Sequence, residues 1–349
     1  MSIITIIGAG MMGTAIGYPA AGNGHEIRLV GTPLDDAIID HAIATGTHLT
    51  MKRPIPAGFK FYHFTQLDEA MKGADLVISG VSSFGVDWFS DNILPIIPEE
   101  MPILGITKGM VDLPDGSLIS YPEYYRMKHP GRKIRLNAVG GPCTSYELAD
   151  HDPTEVCFCG DEPDLLKWIK SLFECDYYHI SLSTDIRGVE CAVAMKNAYA
   201  LGVSLAIGLS ERIEGVGGRE HYNSQAALFG QSIREMRRLI RLSGSDDDNI
   251  ILGAGDLYVT VFGGRTRKIG TLLGRGLTFE QAMDELKGVT LESIVIATRT
   301  ARAVRRLIEL GKATEAQFPL LMHIDELINQ GKPVNIPWSK FETEFGQTV

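Results

Sequence analysis

"IITIIGAGMMG" occupies residues 3–13. A β-branched run ends in Gly8, Gly10 and Gly13, and a helix-compatible stretch follows. In that strand, turn and helix order, the first glycine permits a tight turn and the second lets backbone approach a pyrophosphate. The third lets helix and strand pack closely, and the helix start offers free N–H groups to phosphates. The stretch therefore predicts a dinucleotide-binding loop, with cofactor contacts at Gly8, Gly10, Met11, Met12 and Gly13. An acid that would hold the adenosine ribose is expected about twenty residues later. Here the second strand ends "LVGTP", with Gly31 and Thr32 at that place and Asp35 and Asp36 slightly beyond it. NAD is the expected cofactor, and NADP stays open. Pro19, inside the first helix, predicts a kink or an early end, because proline costs about 3 kcal/mol in an undisturbed helix.

Working outward, short β-branched runs recur at 25–30, 74–81, 101–107 and 133–141, separated by helical or looped sequence. Such alternation reads as βαβ units on a parallel sheet. "TEVCFCG" and "CDYYHISL" add strands on either side of a helix at 162–173. Beyond residue 185 the apolar positions recur at three and four, as in Ile233, Met236, Leu239 and Ile240. The expected fold class is α/β: an N-terminal Rossmann-type parallel-sheet domain over 1–182, then an all-α C-terminal domain over 183–349.

The chain has 349 residues and a net charge of −10, which argues against a nucleic-acid or anionic-membrane surface. A small-molecule partner is expected. Five cysteines, without a CxxC pair, and nine scattered histidines show no metal-ligand spacing. No metal is expected, and the acidic run "SDDDN" at 245–249 reads as a connecting loop without converging partners. The basic stretch at 232–244 reads as a bundle helix with one solvated face. The N-terminus carries neither a basic leader nor a long apolar run, so a cytoplasmic location is expected.

Charged residues then stand out in apolar surroundings. Lys108, in "ITKGM", falls at the C-terminal end of a predicted strand, the sheet edge where ligands sit in open α/β folds. The stretch 183–209 reads as a helix apolar on every face, capped by Ser183, Thr184 or Asp185, and it carries Lys196 and Asn197. An ammonium in such a helix needs a partner, and desolvation prepares it for proton transfer. Asp256, in "GDLYVTVFGGRTRKIG" at 255–270, is the candidate counter-charge. Arginine beside glycines in the same stretch suits an anionic group.

Together "KG" at 108–109, "GVE…MKN" at 188–197, "GDL…T…GGR.RK" at 255–268 and "FPLLMHIDELINQGKPV" at 318–334 resemble the NAD-dependent glycerol-3-phosphate dehydrogenase family. The resemblance runs in register over nearly the whole chain. It implies a phosphorylated small-molecule substrate, interconversion of dihydroxyacetone phosphate and sn-glycerol 3-phosphate, and a homodimer. Residue by residue it carries Lys108, Lys196, Asn197, Asp256, Thr260 and Arg265 onto the substrate site, with Arg265 on the phosphate, Lys196 as general acid/base and Lys108 as a helper cation. Two departures stand out: Thr266 where the family has asparagine, and "GPCTS" at 141–145 where it has "GPSFA" or "GANIA". Thr266 keeps a hydroxyl and its backbone N–H as a substrate contact. Two other readings stay open, a reductase of the same architecture acting on a longer sugar phosphate or a keto acid, and a non-catalytic dinucleotide-binding protein.

Overall fold

A computed structural model describes residues 1–289 and 291–341. The chain folds as two compact units, one of residues 1–108 and 120–190, the other of residues 109–119 and 191 onward.

The first unit holds eight whole strands among its described residues. The strands among the described residues are β1 Ile3–Ile7, β2 Glu26–Val30, β3 Phe59–Tyr62, β4 Leu76–Ser79, β5 Pro102–Gly105, β6 Met110–Asp112, β7 Leu118–Ser120, β8 Arg135–Gly140, β9 Thr154–Gly160 and β10 Tyr178–Ser183. Eight of them form one sheet in the order β10-β9-β8-β5-β4-β1-β2-β3, and β6 pairs with β7. From β3 to β8 the strands are parallel, and their sequence follows the doubly wound order that reverses direction between β1 and β4. β9 departs from the parallel expectation: it lies antiparallel to β8, with Asn137 opposite Gly160, and β10 then runs parallel to it. β4 is buried at every position, as a strand covered on both faces must be.

Helices of this unit are α1 Met11–Ala15, α2 Gly17–Gly22, α3 Asp36–Thr45, α4 Leu67–Met71, α5 Val86–Asn92, α6 Tyr121–Lys128, α7 Ser145–Ala149 and α8 Pro163–Phe173. The first helix breaks at Ile16, between α1 and α2. Pro19 explains the break. It has no N–H to offer the carbonyl of Ala15, four residues back, and its ring crowds that carbonyl. β3 was not expected from the sequence, although Phe59 and Phe61 alternate along it and stack at 6.4 Å. Cys157 and Cys159 are buried free thiols on β9, consistent with packing.

Further along run helices α9 Ile186–Glu214, α10 Tyr222–Leu242, α11 Ile250–Phe262, α12 Gly264–Arg275, α13 Phe279–Glu285, α14 Glu292–Glu309 and α15 Pro319–Asn329. Asp185 caps α9, its carboxylate accepting the N–H of Gly188 at 2.9 Å. From Cys191 on, α9 is the central rod of the second unit's core, packed among residues such as Leu239, Leu257, Leu273 and Leu320. Glycines set how closely its neighbours approach. A Cβ on Gly253 would stand 2.7 Å from the Ala192 carbonyl, and one on Gly208 only 2.1 Å from that of Thr271. Glu235 of α10, fully buried, accepts from Tyr199, Gln231 and the backbone N–H groups of Leu320 and Leu321, and so caps α15.

Residues 109–119, which precede the last strands of the sheet in sequence, pack with this unit. The Arg299 guanidinium donates to the Met110 carbonyl at 2.9 Å, Arg302 pairs with Asp112, and Gly116 lies against Ala303 and Leu307. Along α10 the buried positions Gln231, Ser232, Glu235, Met236, Leu239 and Ile240 form one face, and Arg237 and Arg241 stay outside. Residues 245–249 connect α10 to α11 as expected, but the carboxylates of Asp246, Asp247 and Asp248, expected to lack converging partners, do converge within 4.8 Å. Arg237 and Arg241 each donate to Asp247 at 2.6 Å, which answers the charge within the chain.

Candidate functional site

In the first unit the glycine loop stands where the strand order reverses. Gly8 follows β1 with φ +115°, in the region that favours glycine, and a Cβ there would lie 2.7 Å from the Gly80 carbonyl after β4. At Gly13 a Cβ would lie 2.2 Å from the carbonyl oxygen of Gly8, so helix and strand could not pack as they do. Gly10 differs from both: a Cβ there meets nothing within 4 Å. The chain's own packing asks nothing of Gly10, whereas close approach of a pyrophosphate would. Met11 and Met12 open α1, whose leading N–H groups have no intrahelical acceptor. These residues fit a dinucleotide, at the crevice where open α/β sheets take their ligands.

The acid missing from the end of β2 is found turned inward. Asp35 Oδ2 accepts from the Thr32 N–H and hydroxyl, each at 2.8 Å, and from the Ala9 N–H at 3.2 Å. Its carboxylate makes no cap bond to α3.

At the C-terminal edge of the same sheet, Lys108 Nζ donates to the carbonyl of Gly141 at 2.6 Å. That bond uses backbone, so the altered side chains of "GPCTS" leave it intact. Thr144 of the motif caps α7, accepting from the Glu147 N–H. Near Lys108 lies a group the sequence reading did not single out. Glu190 is 1 % exposed, and neither carboxylate oxygen has a hydrogen-bond partner among the described residues. Burial pushes its pKa well above the ordinary range, with the Lys108 charge pulling against it. The signal was available: an acid inside an apolar helix is as conspicuous as Lys196.

In the second unit Lys196 of α9 and Asp256 of α11 form an ion pair, the lysine side chain 14 % exposed and the aspartate 1 %. Asn197, beside the lysine in sequence, is buried. Thr260 lies one turn after Asp256 on α11, and its hydroxyl donates to the Asp256 carbonyl at 2.7 Å. The chain then turns through Gly263 into α12, where Arg265 and Thr266 lie in the first turn. Arg265 is exposed and Thr266 buried. Arg267 is held by the Val261 carbonyl and Glu220, each at 3.2 Å, whereas Arg265 has no carboxylate partner among the described residues. An unpaired guanidinium at the start of a twelve-residue helix is an anion-binding arrangement. A surface groove of about 490 Å³ lined by Glu100, Lys133, Arg135 and Glu162 lies at the opposite, N-terminal ends of β5 and β8.

Comparison with known proteins agrees with the geometry on both halves. Residues 3–165 match the profile described as NAD-dependent glycerol-3-phosphate dehydrogenase N-terminus, and residues 185–338 the corresponding C-terminus. The NADP(+)-dependent glycerol-3-phosphate dehydrogenase of Archaeoglobus fulgidus is 34 % identical over 337 residues, covering 95 % of this chain and 96 % of that one. Two solved structures share the fold at lower identity. The glycerol-3-phosphate dehydrogenase of Plasmodium falciparum aligns with a TM-score of 0.82 at 20 % identity, over 99 % of this chain and 97 % of that chain. That of Coxiella burnetii gives 0.77 at 22 %, over 97 % of each. With both profiles matched in order and a full-length relative above 30 % identity, the chain belongs to the NAD-dependent glycerol-3-phosphate dehydrogenase family, and with it to the NAD(P)-dependent oxidoreductases.

Proposed function

We propose that this protein interconverts dihydroxyacetone phosphate and sn-glycerol 3-phosphate, with Lys196 as the general acid/base. The observation that carries the proposal is the buried Lys196–Asp256 pair, within a family of that description. When bound, the nicotinamide cofactor supplies or accepts the hydride. Reduction of the ketone leaves negative charge on its oxygen, and a lysine within hydrogen-bond reach protonates it. Asp256 holds the ammonium in place and sets how readily it yields the proton. Lys108 serves as the second cation, stabilising the developing oxyanion. Arg265 and the backbone N–H of Thr266, at the start of α12, take the substrate phosphate. Asn197 and Thr260 complete the polar lining.

Both cofactor forms belong to the proposal. The A. fulgidus relative is named for NADP(+), and the end of β2 carries no acid that would repel a 2′-phosphate. We further propose a cytoplasmic homodimer, as the family resemblance suggests, which light scattering of the purified chain checks for the dimer. The activity is tested by following oxidation of NADH and NADPH with dihydroxyacetone phosphate, ketopantoate and longer keto-sugar phosphates as alternatives. Turnover restricted to dihydroxyacetone phosphate supports the proposal. Preference for another ketone, or binding without turnover, contradicts it.

A further inference from the structure

His48 is fully buried, and its ring nitrogens have fixed roles. Nδ1 accepts from the backbone N–H groups of Thr50 at 3.2 Å and Met51 at 3.0 Å, so the ring proton sits on Nε2. Nε2 lies 3.0 Å from the carbonyl oxygen of Ala9 and donates to it. The Ala9 N–H meanwhile donates to Asp35 at 3.2 Å. The single peptide residue between Gly8 and Gly10 is thus held from both sides, its N–H by Asp35 and its C=O by His48. Neither residue comes from the strand or helix that the glycine loop joins.

Glycines on both sides leave the Ala9 peptides free to rotate, and a loop that must order on binding gives up affinity. We propose that Asp35 and His48 are positioning residues that pre-set the Ala9 peptide for dinucleotide binding, and that Asp35 acts there in place of a ribose-hydroxyl contact. The inference rests on the cofactor reading of the glycine loop given above. Two consequences separate it from a ribose contact and from simple structural support. A clamp on the loop serves both cofactors alike, because the loop faces the pyrophosphate they share, whereas a ribose ligand distinguishes them. A clamp also acts on cofactor affinity apart from folding.

Protonation of His48 would set a proton against the two N–H groups that Nδ1 accepts. Burial keeps the ring's pKa below its ordinary value, with the Asp35 charge opposing and His41 reinforcing, so the clamp persists through neutral pH.

The experiment is isothermal titration of NADH and of NADPH into the full-length protein and three variants, with thermal melting alongside. In His48→Asn the side-chain oxygen can still accept from Thr50 and Met51, but the imidazole donor to the Ala9 carbonyl is gone, which leaves that oxygen the longer bond from the Thr14 hydroxyl at 3.4 Å. Asp35→Ala removes the other half of the clamp, and Asp35→Asn can restore it, because an amide oxygen accepts the same bonds. Loss of one such bond weakens binding about tenfold. We expect His48→Asn and Asp35→Ala to lose affinity for NADH and NADPH by that same factor, and Asp35→Asn to regain it. A selective loss of NADH in Asp35→Ala overturns the inference in favour of a ribose contact. Wild-type affinity in His48→Asn, with or without a lowered melting temperature, overturns it as well. Failure of the unaltered protein to bind either nucleotide is a distinct result, and it overturns the cofactor reading itself.

Discussion

The ammonium of Lys196 on α9 meets the carboxylate of Asp256 on α11, across sixty residues of sequence, in a pair whose acid is 1 % exposed. Asp256 thereby answers a charge that an apolar core could not hold alone. Removing it leaves the lysine poorly compensated, and breaking a buried pair in this way costs about 3 kcal/mol or more. Asp256→Ala is expected to lower the urea midpoint accordingly. Asp256→Asn, which keeps the shape, should instead reveal the role in proton transfer, with turnover down about a hundredfold and nucleotide affinity unchanged. Steady-state kinetics beside calorimetry check both. A fully active Asp256→Asn enzyme would contradict the role.

Close packing holds the pair together. Gly253 lies one turn before Asp256 and lets α11 approach the Ala192 carbonyl of α9. Gly253→Ala inserts a methyl 2.7 Å from that backbone oxygen, which has little room to yield. The expected cost is about 1–3 kcal/mol, together with reduced turnover as the helices part. A variant with wild-type melting behaviour and rate would show that this contact relaxes without consequence.

Arg265 is exposed at the start of α12 and has no carboxylate partner among the described residues. A charge-assisted bond to phosphate contributes about 1.5–3 kcal/mol. Arg265→Ala should therefore raise the KM for dihydroxyacetone phosphate about ten- to hundredfold, while leaving NADH binding and the fold intact. Inhibition by inorganic phosphate should weaken in parallel. If KM stays unchanged, the phosphate binds elsewhere.

Glu190 gives a pH signature. Burial holds its carboxyl well above the ordinary value near 4.5, and Lys108 only partly offsets this. A raised folded-state value stabilises the native protein fully below the unfolded pKa, and that contribution fades as pH rises through the folded one. Glu190→Gln removes the titration. Set level with the wild type near about pH 4, the variant should gain on it toward about pH 9, by an amount on the order of 1–3 kcal/mol. Urea denaturation across that range decides, and parallel curves would show that Glu190 does not titrate in this way.

Much of the sheet and the glycine loop could be read from sequence because each leaves a local trace, as "IITIIGAGMMG" does at residues 3–13. β3 left one too, in the alternation of Phe59 and Phe61, and so did the β6–β7 hairpin, in "LPDG" at 113–116 between two apolar runs. Strand direction leaves none. The pattern of "TEVCFCG" is the same whether β9 runs with β8 or against it. The inward turn of Asp35 depends on the Thr32–Asp35 turn and on the position of Ala9, and no spacing rule encodes it. His48 meets Ala9 across 39 positions, a contact that only the folded chain reveals. The Lys196–Asp256 partnership lies between these cases: burial demanded a counter-charge, and the fold identifies which acid provides it.

Lys196→Ala removes the amine that is proposed to move the proton. Steady-state turnover with dihydroxyacetone phosphate and NADH should fall by about 10² to 10⁴, with calorimetric NADH affinity close to that of the unaltered enzyme. Addition of a small exogenous amine should restore part of the rate. Wild-type turnover in this variant would contradict the claim.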